Sequence, residues 1–332
     1  MSMKRVGFLG SGAWGITLAN LIAQNGHKVL LWSIEEDVLA SIRKGDGHPK
    51  FPNLKLSPNI SVSSGIKEIL EQDVLVECVT ASGFRSVCEK IQENGGLKKP
   101  FIITSKGIEQ GSGLLLVEVA YSIFGASQEI GCLSGPTLAK EVMDSHPTGA
   151  ISASPSPIVQ ELGVLLFDSP NFRVFKDKDI LGVALGGAIK NVIAIACGLS
   201  EGLGHGFNTR ALLITKGLEE MGKLAKAKGA NPTTSFGLAG IGDLIVTGVS
   251  NLSRNYTFGR LLGKGYSKES AKKEIGAVVE GEYTSLSAYN LGKEYNLELP
   301  IINGIYDILY NNEPVTTGFT KLLLEEPNCT GI

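Results

Sequence analysis

The chain has 332 residues, of which 43% are hydrophobic and 19% are charged, and its formal net charge at pH 7 is −2. This composition excludes a disordered chain, and it gives no net basic field for nucleic acid or an anionic membrane. Because one hydrophobic core stops growing at roughly 250–300 residues, two domains are expected. The five cysteines have no CxxC or other metal-type spacing, which predicts reduced thiols, no bound metal and a cytoplasmic protein.

A glycine motif lies close to the N-terminus. The apolar run Arg5–Leu9 leads into GSGAWG (residues 10–15) and then into a helical pattern, Ile16–Gln24. A GxGxxG motif between a strand and a helix predicts a dinucleotide-binding turn, in which the three glycines allow the tight turn, the approach of the pyrophosphate and helix–strand packing. The helix N-terminus then supplies N–H groups to the phosphates. A glycine-rich turn without a ligand is the alternative interpretation.

The residues after the second predicted strand, Lys28–Trp32, bear on the choice of cofactor. An acid about 20 residues past the glycines binds the ribose hydroxyls of NAD, whereas a basic residue accepts the 2′-phosphate of NADP. Here SIEE (residues 33–36) follows the strand, which favours NAD. Arg43 and Lys44 could fold back toward this position, and a solvated helix start is the alternative.

Short apolar runs alternate with helical patterns as far as about residue 180, which predicts a parallel, doubly wound sheet. Lys106 and the Gly135-Pro136-Thr137 segment each follow a predicted strand. Ligands of such sheets bind at the carboxyl ends of the strands, so these residues are candidates for chemistry, although a surface loop is the alternative for Lys106. The predicted strands are Val74–Val79, Phe101–Thr104, Ile130–Leu133, Ala150–Ala153 and Phe172–Val174.

The run Ile180–Leu199 is almost uncharged, with Lys190 and Asn191 in its middle. It is long enough to cross a domain, and the polar pair and the Gly186-Gly187 step at its centre argue against a membrane span, so a buried helix is predicted. Burial disfavours the ammonium form, so Lys190 could give and take protons. The alternative is a lysine that reaches the surface along its own stem.

Strand signals fade after this run, and the remaining sequence is typical of helices. Residues 235–243 are predicted to form a glycine-rich loop that ends in an acid. Ser253 is predicted to be an N-cap, which places Arg254 and Asn255 in a first turn whose free N–H groups suit an anion. Because an arginine there opposes the helix dipole, a phosphate contact is favoured over a surface ion pair.

The predicted fold class is therefore α/β: an N-terminal Rossmann-type doubly wound sheet, residues 1–180, binds a dinucleotide, and an all-α C-terminal domain, residues 181–332, binds substrate. None of the four histidines has a partner in the sequence pattern that defines a role. His205, between Gly204 and Gly206, is expected to be an exposed turn residue.

Seven blocks resemble the NAD(P)-dependent glycerol-3-phosphate dehydrogenase family in order and spacing: GSGAWG, TSKGIE, SGPTLAKE, LGGAIKNVIAIACG, GLAGIGDLIVT, SRNYTFG and VVEG. The resemblance covers Arg5 to about Leu324, and GGAIKNV and GLAGIGDL are specific to this family. It implies hydride transfer between NAD(P)H and dihydroxyacetone phosphate, which gives sn-glycerol 3-phosphate for phospholipid synthesis. It also implies a cytoplasmic homodimer that neither binds nucleic acid nor inserts into a membrane.

The same resemblance implies roles for individual residues, with Lys190 as proton donor and acceptor. The matched catalytic residues are Lys190, Lys106 and Asp243. The matched substrate-binding residues are Lys106, Gly135, Thr137, Lys190, Asn191, Asp243, Thr247, Ser253, Arg254 and Asn255. The matched cofactor-binding residues are Gly10, Ser11, Gly12, Ala13, Trp14, Gly15, Ile34, Glu35, Lys106, Ala139, Arg254, Val278 and Glu280. Many bacterial members carry Arg or His near the position of Ile34, so the resemblance does not extend to a basic residue for NADP.

Two other functions fit parts of the sequence. Dehydrogenases of the beta-hydroxyacid type also use a buried helix lysine, but they place an asparagine about one turn after it, whereas Asn191 is adjacent to Lys190. A non-catalytic dinucleotide-sensing module should lack at least one of four chemical groups, and the chain keeps all of them: Lys106, Lys190, Asp243 and Arg254.

Overall fold

The structure is a computed structural model that describes residues 2–51 and 55–324. The described residues form two compact units. The first unit contains residues 2–109 and 114–184, and the second contains residues 110–113 and 185–324.

The first unit is built on an eight-stranded sheet with the order β3-β2-β1-β4-β5-β6-β7-β8. The order reverses between β1 and β4, which pair in parallel and create the switch point at which α/β sheets bind ligands. The strands are β1 (Arg5–Leu9), β2 (Lys28–Trp32), β3 (Ile60–Val62), β4 (Val74–Glu77), β5 (Phe101–Ile103), β6 (Ile130–Ser134), β7 (Thr148–Ala153) and β8 (Phe172–Asp177). The helices are α1 (Ala13–Gln24), α2 (Glu36–Lys44), α3 (Ile66–Leu70), α4 (Ala81–Glu93), α5 (Leu116–Phe124), α6 (Ala139–Met143) and α7 (Pro157–Phe167).

The expectation of an all-parallel sheet is wrong at one position, because β6 and β7 are antiparallel. The helix between them, α6, has five residues and spans only about 7 Å. A five-residue strand such as β6 is about 16 Å long. So short a helix does not span the sheet, and β7 runs back beside β6 instead. Strand β8 pairs with β7 in parallel.

The second unit is helical, which confirms the predicted α/β plus all-α fold class. Its helices are α8 (Ile180–Gly202, which begins in the first unit), α9 (Phe207–Ala227), α10 (Asp243–Val249), α11 (Arg254–Gly263), α12 (Lys268–Ile275), α13 (Glu280–Glu294), α14 (Pro300–Tyr310) and α15 (Val315–Leu324). The predicted glycine-rich loop is wrong: residues 232–236 form a 3₁₀ turn and Leu238–Gly242 a turn of π-helix that runs directly into α10.

Helices α8 and α11 pack backbone against backbone. A Cβ atom at Gly198 of α8 would overlap the Tyr256 carbonyl, and one at Gly259 of α11 would overlap the Ile195 carbonyl. Only glycine permits so close an approach. The contact fixes the start of α11, with Arg254 and Asn255, against the middle of α8.

Helix α8 is long and apolar enough to cross a membrane by length and composition, but 89% of its most apolar window is buried inside the protein. The expectation of a buried helix is confirmed. The four cysteines within the described residues are free thiols, and Cys329 lies outside them.

Candidate active site

The glycine turn has the geometry that a dinucleotide requires. Gly10 has a φ of 109°, and a Cβ there would overlap the Cys78 carbonyl. A Cβ at Gly15 would lie 2.6 Å from the Gly10 carbonyl oxygen, so this glycine is needed for packing. A Cβ at Gly12, the N-cap of α1, would meet nothing within 4 Å. Packing therefore explains Gly10 and Gly15, and the open space beside Gly12 fits the approach of a pyrophosphate.

Ser11 connects this turn to the end of β2. Its hydroxyl lies 2.8 Å from the Ser33 hydroxyl and 2.9 Å from Glu35 Oε2. The carboxylate of Glu35 thus stands beside the glycine turn, where the sequence predicts a ribose contact. Ile34 is 85% exposed and points into solvent. Of the other predicted cofactor residues here, Ala13 and Trp14 begin α1.

Lys106 and the Gly135–Thr137 segment lie together at the carboxyl ends of β5 and β6. Lys106 Nζ donates to the Gly135 carbonyl at 3.1 Å and lies 3.4 Å from Thr137 Oγ1. Gly135 has a φ of 155°, and a Cβ there would lie 2.7 Å from the Gly149 carbonyl oxygen. Ala139, predicted on the cofactor side, is the first residue of α6.

A buried carboxylate that the sequence analysis missed supports the Lys106 loop. Glu77 is fully buried at the end of β4, and its Oε1 accepts from the Val79 N–H at 2.5 Å and from the Ser105 hydroxyl at 2.7 Å. It thereby ties the turn after β4 to the turn after β5. An acid inside an otherwise apolar strand was the signal that could have found it.

In the second unit, Lys190 is buried and its ammonium is paired with Asp243. Lys190 and Asp243 are 8% and 1% exposed. Lys190 Nζ donates to Asp243 Oδ1 and, at 3.0 Å, to the hydroxyl of Thr247. The Thr247 hydroxyl lies 3.3 Å from the same carboxylate oxygen. The prediction that Lys190 is buried is confirmed, and the alternative of a lysine that reaches the surface is wrong.

Close backbone packing brings these residues together. A Cβ at Gly186 would lie 2.5 Å from the Ala239 carbonyl oxygen, so α8 touches the π-helical turn at this point. Lys190 lies four residues after Gly186, and Asp243 lies four residues after Ala239. Each is therefore about one helical turn beyond the point of contact. The glycines of the GGAIKN and GLAGIGD blocks thus set the ion pair.

Asn191 has a different environment from that of Lys190. Its Oδ1 accepts from Asn255 Nδ2 at 2.8 Å, and Asn255 Oδ1 accepts from the Gly281 N–H at 2.9 Å. These bonds join α8, α11 and the start of α13, where Glu280 is the first residue. The predicted substrate residue Asn255 therefore also anchors the VVEG block.

The start of α11 has the predicted cap. The Ser253 hydroxyl accepts from the Tyr256 N–H at 3.2 Å, which confirms it as the N-cap. The exposed Arg254 donates from Nη1 to the Val278 carbonyl at 2.8 Å. Arg254 therefore stands at a helix N-terminus beside the predicted dinucleotide-closing residue Val278. His205 is exposed, as expected, and stacks on Phe319 with 5.1 Å between ring centroids.

Comparisons with known proteins define the class. Residues 5–159 match the family model for the N-terminal part of NAD-dependent glycerol-3-phosphate dehydrogenase, and residues 179–320 match the model for its C-terminal part. The two matches cover most of the chain. The fold and the two family matches therefore define an NAD(P)-dependent oxidoreductase.

Individual relatives of this chain share one enzyme name. The chain is 46% identical over 324 residues to glycerol-3-phosphate dehydrogenase [NAD(P)+] of Chlamydia pneumoniae, with 96% of this chain and 97% of that protein covered. It is 44% identical to the protein of the same name from Chlamydia felis, with the same coverage. The crystal structure of glycerol-3-phosphate dehydrogenase from Coxiella burnetii matches with a TM-score of 0.93 and 33% identity, covering 97% of this chain and 99% of that one.

The chain belongs to the NAD-dependent glycerol-3-phosphate dehydrogenase family, which confirms the resemblance of the seven sequence blocks. It is an NAD(P)-dependent glycerol-3-phosphate dehydrogenase.

Proposed function

We propose that Lys190 is the proton donor and acceptor of the reaction that interconverts dihydroxyacetone phosphate and sn-glycerol 3-phosphate. The observation that carries this role is the burial of its ammonium against Asp243 and Thr247 in a largely apolar helix. The nicotinamide, when bound, supplies the hydride that reduces the carbonyl carbon. The carbonyl oxygen then gains negative charge and needs a proton, which Lys190 Nζ provides as it becomes a neutral amine. A positioned acid contributes on the order of 10²- to 10⁴-fold.

Asp243 and Thr247 hold Lys190 for this task. The carboxylate stabilises the ammonium before transfer, and it stabilises the proton's return in the reverse reaction. The hydroxyl of Thr247 fixes the direction of Nζ by accepting a hydrogen bond from it. Lys106, whose Nζ lies at the carboxyl edge of the sheet, carries positive charge that stabilises a developing oxyanion.

The start of α11 binds the substrate phosphate. Arg254, Asn255 and the Ser253 cap lie in or beside the first helical turn, whose N–H groups and positive dipole end favour an anion. Gly135, Thr137 and Asn191 are the further substrate contacts. On the cofactor side, the proposed contacts are residues 10–15, Ile34, Glu35, Lys106, Ala139, Arg254, Val278 and Glu280.

NAD is the favoured cofactor. Glu35 presents a carboxylate beside Ser11 and Ser33, where ribose hydroxyls can donate to it, whereas a 2′-phosphate would meet like charge. We assign residues 1–180 to the dinucleotide-binding domain and residues 181–332 to the helical substrate and catalytic domain, which contains the phosphate site and the proton donor and adds Arg254, Val278 and Glu280 to the cofactor contacts. The physiological setting is the cytoplasm, as a homodimer that supplies glycerol 3-phosphate for phospholipid synthesis.

The test is oxidation of NADH and of NADPH, followed by the nicotinamide absorbance, with dihydroxyacetone phosphate or unphosphorylated dihydroxyacetone as substrate. We expect turnover only with the phosphorylated ketone and a higher kcat/KM with NADH. Equal turnover of both ketones would contradict the phosphate site, and a preference for NADPH would contradict the role of Glu35. Arg254→Ala should raise KM for dihydroxyacetone phosphate more than KM for NADH.

A further inference from the structure

His48 is a buried histidine next to the proposed cofactor turn, and it is not among the predicted site residues. It is 1% exposed and lies four residues after the end of α2. Its carbonyl accepts from the Phe51 N–H at 2.8 Å, and its ring lies 5.9 Å from the Phe51 ring. The site of interest is its imidazole, because both ring nitrogens are bonded to backbone.

The two bonds define the tautomer. The Lys50 N–H lies 3.1 Å from Nδ1 and can only donate, so Nδ1 is an acceptor and carries no proton. Nε2 therefore carries the hydrogen and donates it to the Ser11 carbonyl at 2.7 Å. His48 is thus neutral in this arrangement, with one nitrogen accepting and the other donating.

The Ser11 carbonyl is the key acceptor, because it belongs to the peptide unit that leads into Gly12. A trans peptide bond is planar, and its carbonyl and its N–H point in opposite directions. When His48 fixes the Ser11 carbonyl, it therefore also fixes the direction of the Gly12 N–H. The Ser11 hydroxyl, held by Ser33 and Glu35, secures the same residue from its other side.

We propose that His48 is a positioning residue of the dinucleotide site: its Nε2–H holds the Ser11 carbonyl and thereby aims the Gly12 N–H at the cofactor pyrophosphate. The inference rests on the proposed cofactor site and adds a residue to it.

The surroundings of His48 favour the neutral form. Burial is the largest influence and lowers its pKa, and the nearby Lys50 ammonium lowers it further. The bond to the Ser11 carbonyl and the Glu35 carboxylate act in the opposite direction and raise the pKa. The balance is a lowered pKa, so the neutral tautomer that holds Ser11 dominates at neutral pH.

The test compares two amide substitutions by the dissociation constant of NADH. His48→Gln places an amide N–H near the position of Nε2 and keeps the bond to Ser11, whereas His48→Asn keeps only an acceptor near Nδ1. Loss of a partner from a buried carbonyl costs about 1–3 kcal/mol, so we expect a dissociation constant raised about 5- to 150-fold in His48→Asn and by less than about threefold in His48→Gln.

His27 offers a matched control within the same unit. It is 4% exposed, its Nδ1 accepts from the Lys4 N–H at 3.1 Å and its Nε2 lies 3.1 Å from the Leu165 carbonyl. His27 therefore makes the same two kinds of ring hydrogen bond as His48, but neither Lys4 nor Leu165 belongs to the glycine turn. His27→Asn should lower stability and leave the NADH dissociation constant unchanged.

Three results separate the possible failures. If the wild-type protein binds no dinucleotide, the proposed cofactor site fails. If it binds NADH, and His48→Asn binds it equally well or His48→Gln is impaired as strongly, the positioning role is overturned. Should His48→Asn not fold, His48→Met decides, because methionine fills the space of the ring but donates no hydrogen bond: NADH should bind to His48→Met at least about 5-fold more weakly than to His48→Gln, and equal dissociation constants would overturn the proposal.

Discussion

A single ion pair, Lys190 with Asp243, dominates the chemistry at the scale of residues. The pair is almost fully buried, with side-chain exposures of 9% and 1%, so each charge has lost most of its hydration. Desolvation costs several kcal/mol per ion, and mutual attraction together with further hydrogen bonds offsets it only in good geometry. Removal of one partner leaves the other charge buried and uncompensated.

Asp243→Asn therefore has two expected effects. It should lower the free energy of unfolding by about 3–5 kcal/mol, measured in urea, because a buried ammonium loses its counter-ion. It should also lower kcat, because Lys190 is no longer held as the ammonium. The control is Glu219→Gln in the exposed Lys216–Glu219 pair, which should cost less than about 1 kcal/mol and leave kcat unchanged. Wild-type kcat in Asp243→Asn would contradict the role of this carboxylate.

His48 gives stability a pH dependence of defined sign. Because its pKa in the folded protein is lowered, the unfolded chain binds a proton first as the pH falls through the ordinary value of about 6.5. The contribution of His48 to the free energy of unfolding is complete above that pH and declines below it. The difference in stability between wild type and His48→Gln should shrink from pH 7.5 to pH 5. A difference that stays constant or grows would count against a neutral buried His48.

The site residues that could be predicted from sequence are those whose side chains have a distinctive chemistry and lie in a recognisable motif. Lys106, Lys190 and the three glycines of GSGAWG belong to blocks with a recognisable pattern. His48 could not be found in this way because its partner is a backbone carbonyl, which every residue has, and Ser11 lies 37 positions away. The link from Asn191 to Asn255 likewise depends on how α8 and α11 cross.

At the scale of elements, glycines decide how close the helices of the second unit approach. Gly259→Ala in α11 should destabilise the protein by about 1–3 kcal/mol or more, because the new Cβ overlaps the Ile195 carbonyl and the helices must separate. Thermal or urea unfolding measures the loss, and KM for dihydroxyacetone phosphate should rise as the start of α11 moves.

Gly222→Ala in α9 is the control for this prediction. A Cβ at Gly222 would meet nothing within 4 Å, so the substitution should be neutral or stabilise the protein by up to about 1 kcal/mol through helix propensity. Equal stability of the two variants would contradict a backbone contact between α8 and α11.

Most elements of the first unit were predictable because buried parallel strands are continuous apolar runs and the turns between them contain glycine or proline. The three-residue β3 was missed, since Ile60, Ser61 and Val62 are too few to define a pattern. The antiparallel direction of β7 was not predicted, because an apolar run shows where a strand lies and not the direction in which it pairs. The π-helical turn was predicted as a loop because its glycines resemble those of a turn.

At the scale of the whole molecule, the proposed homodimer requires an interface between two copies of the chain. Several large apolar side chains of the second unit are exposed, among them Phe207 at 81%, Phe236 at 49% and Leu252 at 50%. Exposed apolar side chains are available to an interface between copies of the chain, and the proposed homodimer would bury some of them. Light scattering after gel filtration should give twice the chain mass of 35.1 kDa. A mass of one chain at micromolar concentration would contradict the homodimer.

The most direct test of the central claim is the turnover of Lys190→Met with dihydroxyacetone phosphate and NADH, measured together with NADH binding. Methionine fills the apolar space but cannot donate a proton. We predict that kcat falls on the order of 10²- to 10⁴-fold while the NADH dissociation constant stays within about threefold of wild type. Lys216→Met, on the exposed face of α9, should keep full activity. A folded Lys190→Met variant whose kcat is within a few-fold of wild type would contradict the assignment of Lys190 as the proton donor.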